Sequence, residues 1–531
     1  MLKWAEVKER TDVYTWKGTT GWGNHDLYPI PAKEHTYGLT AYAFFWAQAG
    51  TSLLSYTMGS SYVAIGLSAA ETIVACILGA IISVFIGAFT ARTGQDYSIG
   101  YTVLNRSCFR MRGTYLTLVS GIQAYYGGQA VALMLRAIFP SFKNMANTLP
   151  ASAAITTQNL IGFLVCMASY LPVFCFIKPH NLRWGLYSAY IAVFSTFIGI
   201  LIWALVSNGG TGNLISSSIP ITKSEKAFRF IQCVSSISGN WGSCSDRYAD
   251  CTRFEKKRHT SVVGVLALPV VICLSVTFGA LTTTATSHMY GTVQWNPILL
   301  LSSLQDHSYT PACRAGTFFV GFALWLSQTF LNLSLNTVPF GMDLAAAFYR
   351  YLTNRRAGII LIIITLIMQP WRFLSQALIF LTIMNCITVY FAAATAILIS
   401  DFWIIRKKML KLPDLYTRDG IYWFTGGWNL RAIAALTIGM LPSMPGFFES
   451  CISSTVDGPA VRIFEITWFV SAPLTLIAYM ALSKIWPVEG RGIKELLPQG
   501  DEPITVIEAS KGSSSDEKIP SGTVAEKDLE Q

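Results

Sequence analysis

Several polar and aromatic side chains lie inside long apolar stretches of the sequence, where polar atoms are costly and usually face a protein interior or a cavity. Tyr125 and Gln129 are four residues apart, so a helix places a ring and a carboxamide on one face. Such a pair can stack on a flat heterocycle and hydrogen-bond its edge, or the two groups can satisfy polar groups of neighbouring helices. Asn336, four residues after Asn332, suits the amide-like edge of a nucleobase, and hydrogen bonding between helices is the alternative.

Two runs of small and polar residues interrupt apolar segments. The run 45–52 contains Trp46 and Gln48, and it is either a helix-packing face or a locally unwound stretch that faces a ligand. Packing alone would not need Gln48. The run 238–243 places two glycines around Trp241 and predicts a discontinuous helix whose free backbone groups line a cavity.

The elements that must position these residues are membrane-spanning helices. A helix needs roughly twenty mostly apolar residues to cross a bilayer, and the sequence predicts an all-α polytopic protein with about twelve such spans. The interrupted first and sixth spans are five apart, which predicts two inverted repeats of five helices with the site at their interface. The predicted spans lie near residues 41–62, 70–92, 115–139, 158–178, 184–206, 228–246, 261–285, 316–337, 357–369, 374–400, 431–447 and 464–485.

Lysine and arginine concentrate in every second gap between the spans, so the positive-inside rule places both termini in the cytoplasm. The net charge of +10 follows from this topology and does not indicate a nucleic-acid partner. We divide the chain into a polar N-terminal segment 1–38, a transport core 39–400, a cytoplasmic loop with the last two helices 401–486, and a disordered cytoplasmic tail 487–531. Lysines in that tail are candidate sites for trafficking or ubiquitination machinery, although any disordered tail contains such residues.

The sequence contains no HExxH, GxSxG or GxxxxGK motif and no filter or ring of charges, so it predicts neither an enzyme nor an ion channel. Its eleven cysteines show no CxxC or Cys/His spacing, which favours buried free thiols over a metal site. The sequence predicts no bound cofactor. A receptor that binds a nutrient without moving it would share every feature named above.

The chain resembles the fungal Fur-type branch of the nucleobase-cation-symport-1 family, which contains uracil, allantoin, uridine and thiamine permeases. The resemblance runs from Asn24-His25-Asp26-Leu27-Tyr28-Pro29 to Ser443-Met444-Pro445-Gly446-Phe447. Its further landmarks are Gly127-Gly128-Gln129, Trp241 with Asp250-Cys251-Thr252-Arg253-Phe254, Gly341-Met342-Asp343-Leu344, Asn354-Arg355-Arg356, Asp414-Leu415-Tyr416 and Asn429-Leu430-Arg431-Ala432.

The resemblance implies a fold of twelve helices, ten of them in two inverted repeats, with a substrate held between rings of the third and sixth spans. On this chain those rings are Tyr125 and Trp241, with polar contacts from Gln129 and Asn336. Trp46 either lines the same cavity or packs. Where uracil and allantoin carriers commonly have tryptophan, this chain has Tyr125, which changes the pocket volume and adds a hydroxyl.

Sodium-coupled bacterial relatives use hydroxyl side chains five and six residues before the substrate asparagine, where this chain has Leu331 and Phe330. We therefore predict proton coupling, with Asp343 as the candidate carrier and a fixed ion pair or helix-end hydrogen bond as its alternative. Asp250 is predicted to be a gate or helix-end anchor.

The predicted function is import of a flat heterocycle such as uracil or allantoin by alternating access, across a lipid bilayer that is the plasma membrane by default. Thiamine, nicotinamide riboside and uridine remain alternative substrates.

Overall fold

The computed structural model describes residues 22–23, 26–30, 35–113, 123–177, 182–210, 220–257, 259–287, 289–290, 293–417, 420–423, 425–452, 458–496 and 506–508. The first ten helices are α1 Leu39–Gly50, α2 Leu53–Ala64, α3 Ala69–Tyr97, α4 Tyr101–Gly113, α5 Gln123–Ile138, α6 Pro140–Lys143, α7 Thr157–Phe176, α8 Leu182–Ser207, α9 Lys223–Asp246 and α10 Ala249–Thr252. The next ten are α11 Val262–Thr286, α12 Pro297–His307, α13 Pro311–Asn332, α14 Val338–Ala347, α15 Asn354–Ile367, α16 Ala377–Ile399, α17 Leu430–Met440, α18 Met444–Ile452, α19 Pro459–Glu465 and α20 Thr467–Ile485.

Two π-helical segments continue long helices, and short 3₁₀ turns fill several connections. The π-helical segments are Leu333–Thr337, between α13 and α14, and Ser400–Ile405, after α16. The 3₁₀ turns are Ala151–Ala153, Pro370–Leu374, Pro413–Leu415, Thr425–Gly427 and Leu441–Ser443.

Eight helical stretches within the described residues are long and apolar enough to cross a membrane. The predicted first, third, sixth and ninth spans are not among them. The first consists of two helices of 12 residues each, the ninth has 14 residues, and α5 is described only from Gln123, so part of the third span lies outside the described residues. The sixth, α9, has charged residues in its first turns. The eight stretches are Ala69–Tyr97, Ala151–Phe176, Leu182–Ser207, Val262–Thr286, Pro311–Ala347, Ala377–Ile405, Leu430–Ile452 and Thr467–Ile485.

The first span is broken in two, as one alternative for the polar run around Gln48 predicts. Thr51 and Ser52 separate α1 from α2, and their backbones leave the helical conformation. The Ser52 hydroxyl accepts a hydrogen bond from the amide of Ser55 at 3.3 Å, which caps the start of α2. The break is therefore built into the local sequence, because serine is a favoured capping residue.

The predicted break in the sixth span is wrong, since α9 continues without interruption through Trp241 and its flanking glycines. These glycines serve close packing. A Cβ placed on Gly239 would lie 2.3 Å from Cγ2 of Thr388 in α16, and one on Gly242 would lie 3.1 Å from Cδ1 of Ile86 in α3. The missing side chains therefore let α9 fit between α3 and α16.

The packing of α2 on α11 is closer still. A Cβ on Gly59 of α2 would lie 2.4 Å from the carbonyl oxygen of Val276, and a Cβ on Gly279 of α11 would lie 2.1 Å from that of Tyr56. Each helix therefore presses its backbone against a glycine of the other, and neither position accommodates a side chain.

One end of the helix bundle, which we call the basic end, collects α4, α10, the end of α14 and both terminal segments of the described chain. Asp26 lies there, where its Oδ2 accepts a hydrogen bond from the amide of Asn354 at 2.9 Å and its carbonyl accepts one from Arg253 at 3.3 Å. The Tyr416 hydroxyl donates to the carbonyl of Leu27 at 3.0 Å. We call the other end, with α6 and α12, the opposite end.

Part of the tail that we predicted to be disordered has regular structure, and it adds a two-stranded sheet to the predicted all-α fold. Strand β1, Ile493–Glu495, pairs antiparallel with β2, Val506–Glu508. The amide of Leu412 donates to the carbonyl of Glu495 at 2.9 Å, and Lys411 Nζ lies 3.5 Å from its carboxylate. A backbone hydrogen bond and an ion pair thus attach β1 to the loop after α16. Residues 497–505 and 509–531 lie outside the described residues.

Candidate substrate site

The break in the first span is tied to α13 by Gln48. Its Nε2 donates to the Ser327 hydroxyl at 2.8 Å and to the Ser327 carbonyl at 3.3 Å. The side chain is fully buried, and its Oε1 has no hydrogen-bond partner within the described residues. On the other side of the break, the Tyr126 hydroxyl donates to the Thr57 hydroxyl at 3.1 Å. The two halves of the span are therefore held by α13 and α5.

Tyr125 and Gln129 lie together on α5, as their spacing predicts. The Tyr125 ring packs on Phe163 of α7 and on Trp371, with ring centroids 6.2 and 6.3 Å apart, and its hydroxyl lies beside the Gln129 amide. Gln129 Oε1 accepts a hydrogen bond from Nδ2 of Asn296 at 3.0 Å. Because Asn296 caps α12, this bond joins the predicted site to the opposite end.

Contacts of α12 and the residues before it close the opposite end. The Ser60 hydroxyl at the end of α2 donates to the carbonyl of Trp295 at 2.5 Å, and the Trp295 ring stacks on Phe380 with centroids 5.5 Å apart. Arg136 at the end of α5 forms a 2.5 Å ion pair with Asp306 of α12. These three contacts join α2, α5 and α16 to α12 and the residues before it.

Asn336 lies in the π-helical segment between α13 and α14, a feature that the sequence analysis missed. Its Nδ2 donates to Oδ1 of Asn332 at 2.8 Å, and the next residue, Thr337, has its hydroxyl 2.5 Å from that of Tyr170 in α7. Segments of π-helix are frequent at functional sites. The Asn336 side chain is half-buried.

Gln328 is a buried amide of α13 that the sequence analysis also missed. It lies one helical turn before Asn332, is 2% exposed, and neither of its amide atoms has a partner within the described residues. A Cβ placed on Gly127 of α5 would lie 3.6 Å from Cβ of Gln328, so this amide belongs to the interface between α5 and α13. An unpaired buried amide costs about 1–3 kcal/mol. The polar run Ser327-Gln328-Thr329 within an apolar span was the signal that could have identified it.

The two tryptophans of the predicted site lie in different surroundings. Trp241 is buried on α9, and within the described residues its indole N–H has no partner and its ring does not stack on Tyr125. Trp46 packs edge-on against Tyr248, with ring centroids 4.7 Å apart, and a Cβ on Gly264 would lie 2.2 Å from its ring. The contacts of Trp46 are therefore those of the packing alternative.

Asp343 and Asp250 meet in a buried network at the basic end. Arg247 donates to one carboxylate oxygen of Asp343, and the Thr102 hydroxyl donates to the other at 2.5 Å. Asp250 Oδ1 accepts the backbone amide of Tyr101 at 2.8 Å, and burial raises the pKa of the Asp250 carboxyl although neighbouring arginines oppose the rise. The ion-pair alternative for Asp343 is therefore present in the structure.

Comparisons with known proteins agree with this architecture. A model of the family described as permeases for cytosine and purines, uracil, thiamine and allantoin matches residues 29–471. An uncharacterized permease of Schizosaccharomyces pombe is 30% identical over 491 residues, which are 90% of this chain and 83% of the relative. The uridine permease of Saccharomyces cerevisiae is 29% identical over 487 residues, which are 88% of this chain and 75% of the relative.

Among solved structures, Mhp1, a nucleobase-cation-symport-1 family transporter in a closed conformation with bromovinylhydantoin bound, has a TM-score of 0.65 to this chain at 18% identity. The match covers 88% of this chain and 97% of Mhp1. At this identity the similarity shows the fold, and it confirms the predicted helical transporter architecture.

Proposed function

Because the chain belongs to the family of permeases for cytosine and purines, uracil, thiamine and allantoin, we propose that it imports a flat heterocycle, with uracil and allantoin as first candidates. Members of this family are membrane transport proteins and not enzymes. The observation that carries the proposal is a set of three buried amides, with Gln129 on the helix that bears Tyr125, Gln328 on α13 and Gln48 bonded to α13. Oε1 of Gln48 and both amide atoms of Gln328 have no hydrogen-bond partner within the described residues. Amide atoms without protein partners in an apolar site are available to the polar edge of a nucleobase.

In the proposed complex the heterocycle stacks between the rings of Tyr125 and Trp241. Gln129 and Asn336 bind its polar edge, and Gln328 supplies a third amide from α13. A stacked ring with a few convergent polar groups gives orientation and specificity in a mostly apolar pocket.

A nucleoside is the second candidate substrate. A tyrosine ring is smaller than the tryptophan common in uracil and allantoin carriers, so Tyr125 leaves room for a substituent such as ribose on the heterocycle. The 29% identity to a uridine permease supports the same alternative. Thiamine and nicotinamide riboside also combine a flat ring with a further group and belong in the same test.

We propose that the basic end faces the cytoplasm, since lysine and arginine are concentrated in its loops. Substrate would enter when the contacts of α12 open at the opposite end, and leave when the network of Asp343, Asp250 and Arg247 opens at the basic end. Rocking of the two repeats would alternate the two states.

We propose a proton as the coupling ion. The side chains of Leu331 and Phe330 offer no oxygen ligand for sodium, and Gln48 points an N–H donor at both oxygens of Ser327. Both oxygens of Ser327 are therefore occupied by a hydrogen-bond donor and not free to bind a cation. This arrangement supports transport that does not depend on sodium.

Replacing Gln129 with leucine is expected to weaken substrate binding by roughly five- to 150-fold, because loss of a hydrogen bond in a buried site costs about 1–3 kcal/mol. The measurement is the Kd of purified protein for the transported compound. Gln95→Leu is the matched control, because Gln95 lies outside the proposed site. Its Nε2 donates to the Ser261 hydroxyl at 2.6 Å. If wild type and Gln129→Leu bound the compound with equal affinity, Gln129 would not be a substrate-binding residue.

The function itself is tested by accumulation in a host that lacks its own nucleobase, nucleoside and thiamine uptake. Radiolabelled uracil, allantoin, uridine and thiamine are supplied at acidic and alkaline pH, with and without sodium. We expect accumulation of one compound that is stronger at acidic pH and indifferent to sodium. Protein at the cell surface that binds a compound without accumulating it would identify a sensor and contradict the proposal.

A further inference from the structure

The carboxyl group of Asp246 ends α9 in an unusual environment. The side chain is fully buried, and the Thr395 hydroxyl of α16 donates to its Oδ2 at 2.5 Å. Within the described residues its Oδ1 is buried and has no hydrogen-bond partner. A single neutral donor therefore supports this carboxyl group, which joins α9 to α16.

Four other buried carboxylates of the described chain have a basic side chain within ion-pair distance, those of Asp343, Asp401, Asp414 and Glu465. The buried carboxylates of Asp250 and Glu255 each accept a hydrogen bond from a backbone amide instead. Arg247 pairs with Asp343, Arg406 lies 2.7 Å from Asp401, and Arg462 lies 3.1 Å from Glu465. A buried carboxylate is costly when charged unless a cation and several donors support it. Asp246 lacks an ion pair of this kind, so its surroundings favour the neutral acid.

Groups from three elements act on Asp246. Arg247 follows it in the chain and lowers the energy of its charged form, but that arginine already donates to Asp343. Tyr101 of α4 and Tyr390 of α16 are close enough to interact with a charge on Asp246, as is Cys244 two residues earlier. None of these three is a cation. The positive charge of Arg247 is therefore shared among three carboxyl groups, those of Asp246, Asp343 and Asp250.

We propose that Asp246 binds the proton that is transported with the substrate. This inference rests on the proposed proton symport and names its residue. Hydronium on one side of the membrane gives a proton to Oδ1, so its O–H bond breaks as the O–H bond of the neutral acid forms. On the other side a water molecule takes the proton, and this acid O–H bond breaks as hydronium forms.

Release of this proton changes the competition for Arg247. The ionised Asp246 attracts Arg247 away from Asp343, which weakens the contact between the end of α9 and α14. The same change affects α4, because Thr102 of α4 donates a hydrogen bond to Asp343. Protonation of Asp246 thus favours a closed basic end, and its deprotonation favours an open one. The protonation state of this single group shifts the equilibrium between the two arrangements of the network.

The test compares uptake by full-length wild type and Asp246→Asn across a pH series in the host described above. Asparagine resembles the neutral acid, so we expect Asp246→Asn to bind substrate and exchange it across the membrane. Its uptake should vary by less than about twofold over a range in which wild-type uptake changes by about tenfold. Net accumulation above the external concentration should be lost.

Asp96→Asn is the matched control, because Asp96 pairs with Arg92 on α3 outside the network, and its pH profile should equal that of wild type. Thr395→Val removes the donor to Asp246 while preserving side-chain shape. It should move the wild-type profile to higher pH, since the hydrogen bond supports the charged form. This variant keeps the inference testable if Asp246→Asn fails to fold.

A wild-type pH profile in Asp246→Asn, or an unshifted profile in Thr395→Val, would overturn the assignment while proton symport stands. If Asp343→Asn lost the pH response of uptake and Asp246→Asn kept it, Asp343 would be the residue that binds the transported proton. Wild-type uptake that does not respond to pH would overturn the proposed symport and the inference together.

Discussion

We expect uptake to fall by more than about tenfold when Arg247 is replaced by alanine. The substitution leaves the Asp343 carboxylate buried without its cation, and removing one partner of a buried ion pair costs about 3–5 kcal/mol. The contact between the end of α9 and α14 is lost with it. Transport into the host measures the effect, with the amount of surface protein determined in parallel so that folding and turnover are separated.

Arg229→Ala is the control for this experiment, because Arg229 pairs with Glu225 four residues earlier on α9 and that pair is partly exposed. Exposed pairs contribute roughly 0–1 kcal/mol, so this variant should transport normally. The double variant Arg247→Ala/Asp343→Ala should give more folded protein than Arg247→Ala, because the Asp343 carboxylate is no longer buried without its cation. Normal uptake by Arg247→Ala alone would show that the ion pair is not part of the basic-end closure.

The second large effect is expected at Asp401, which no proposed step of transport uses. Asp401 and Arg406 are both fully buried, with 2.7 Å between Asp401 Oδ2 and Arg406 Nε, and the Tyr479 hydroxyl donates to Asp401 Oδ1 at 2.9 Å. Asp401→Ala should therefore lower the free energy of unfolding by about 3–5 kcal/mol. Thermal unfolding of the detergent-purified protein measures the loss.

Replacing both members of this pair distinguishes charge from packing. Asp401→Leu/Arg406→Met should be far less destabilised than Asp401→Ala, because apolar pairs of similar volume often replace buried ion pairs without loss. Asp96→Asn, at a partly exposed pair, should unfold like wild type. Arg406 also donates to the carbonyl of Ser107 in α4 at 3.2 Å. Equal stability of Asp401→Ala and wild type would contradict the role of this ion pair in joining α4, α20 and the segment after α16.

The sequence predicted the break in the first span and failed on the break in the sixth, although both runs contain glycine and polar residues. In the first span, Ser52 supplies its own helix cap, so the signal is local. In the sixth span, the role of Gly239 is decided by Thr388, which lies far along the chain. A glycine that breaks a helix and one that admits a neighbouring helix look alike until that neighbour is known.

The candidate site shows the same division between local and distant information. Tyr125 and Gln129 share a face because helical periodicity requires it, and the sequence predicts their proximity. The partners of Gln129 and Asp343, which are Asn296 and Arg247, come from other elements. Their pairing depends on tertiary packing that no spacing rule contains. The π-helical segment around Asn336 also escaped prediction, since one inserted residue leaves the apolar pattern almost unchanged.

The reciprocal glycine contacts of α2 and α11 determine which parts of the molecule can move separately. With backbone against backbone at Gly59 and Gly279, a small slide of one helix along the other would drive carbonyl oxygens into the adjoining chain. We therefore expect α2 and α11 to move together as one rigid body. The rocking motion that we propose must then occur at other helix interfaces of the bundle.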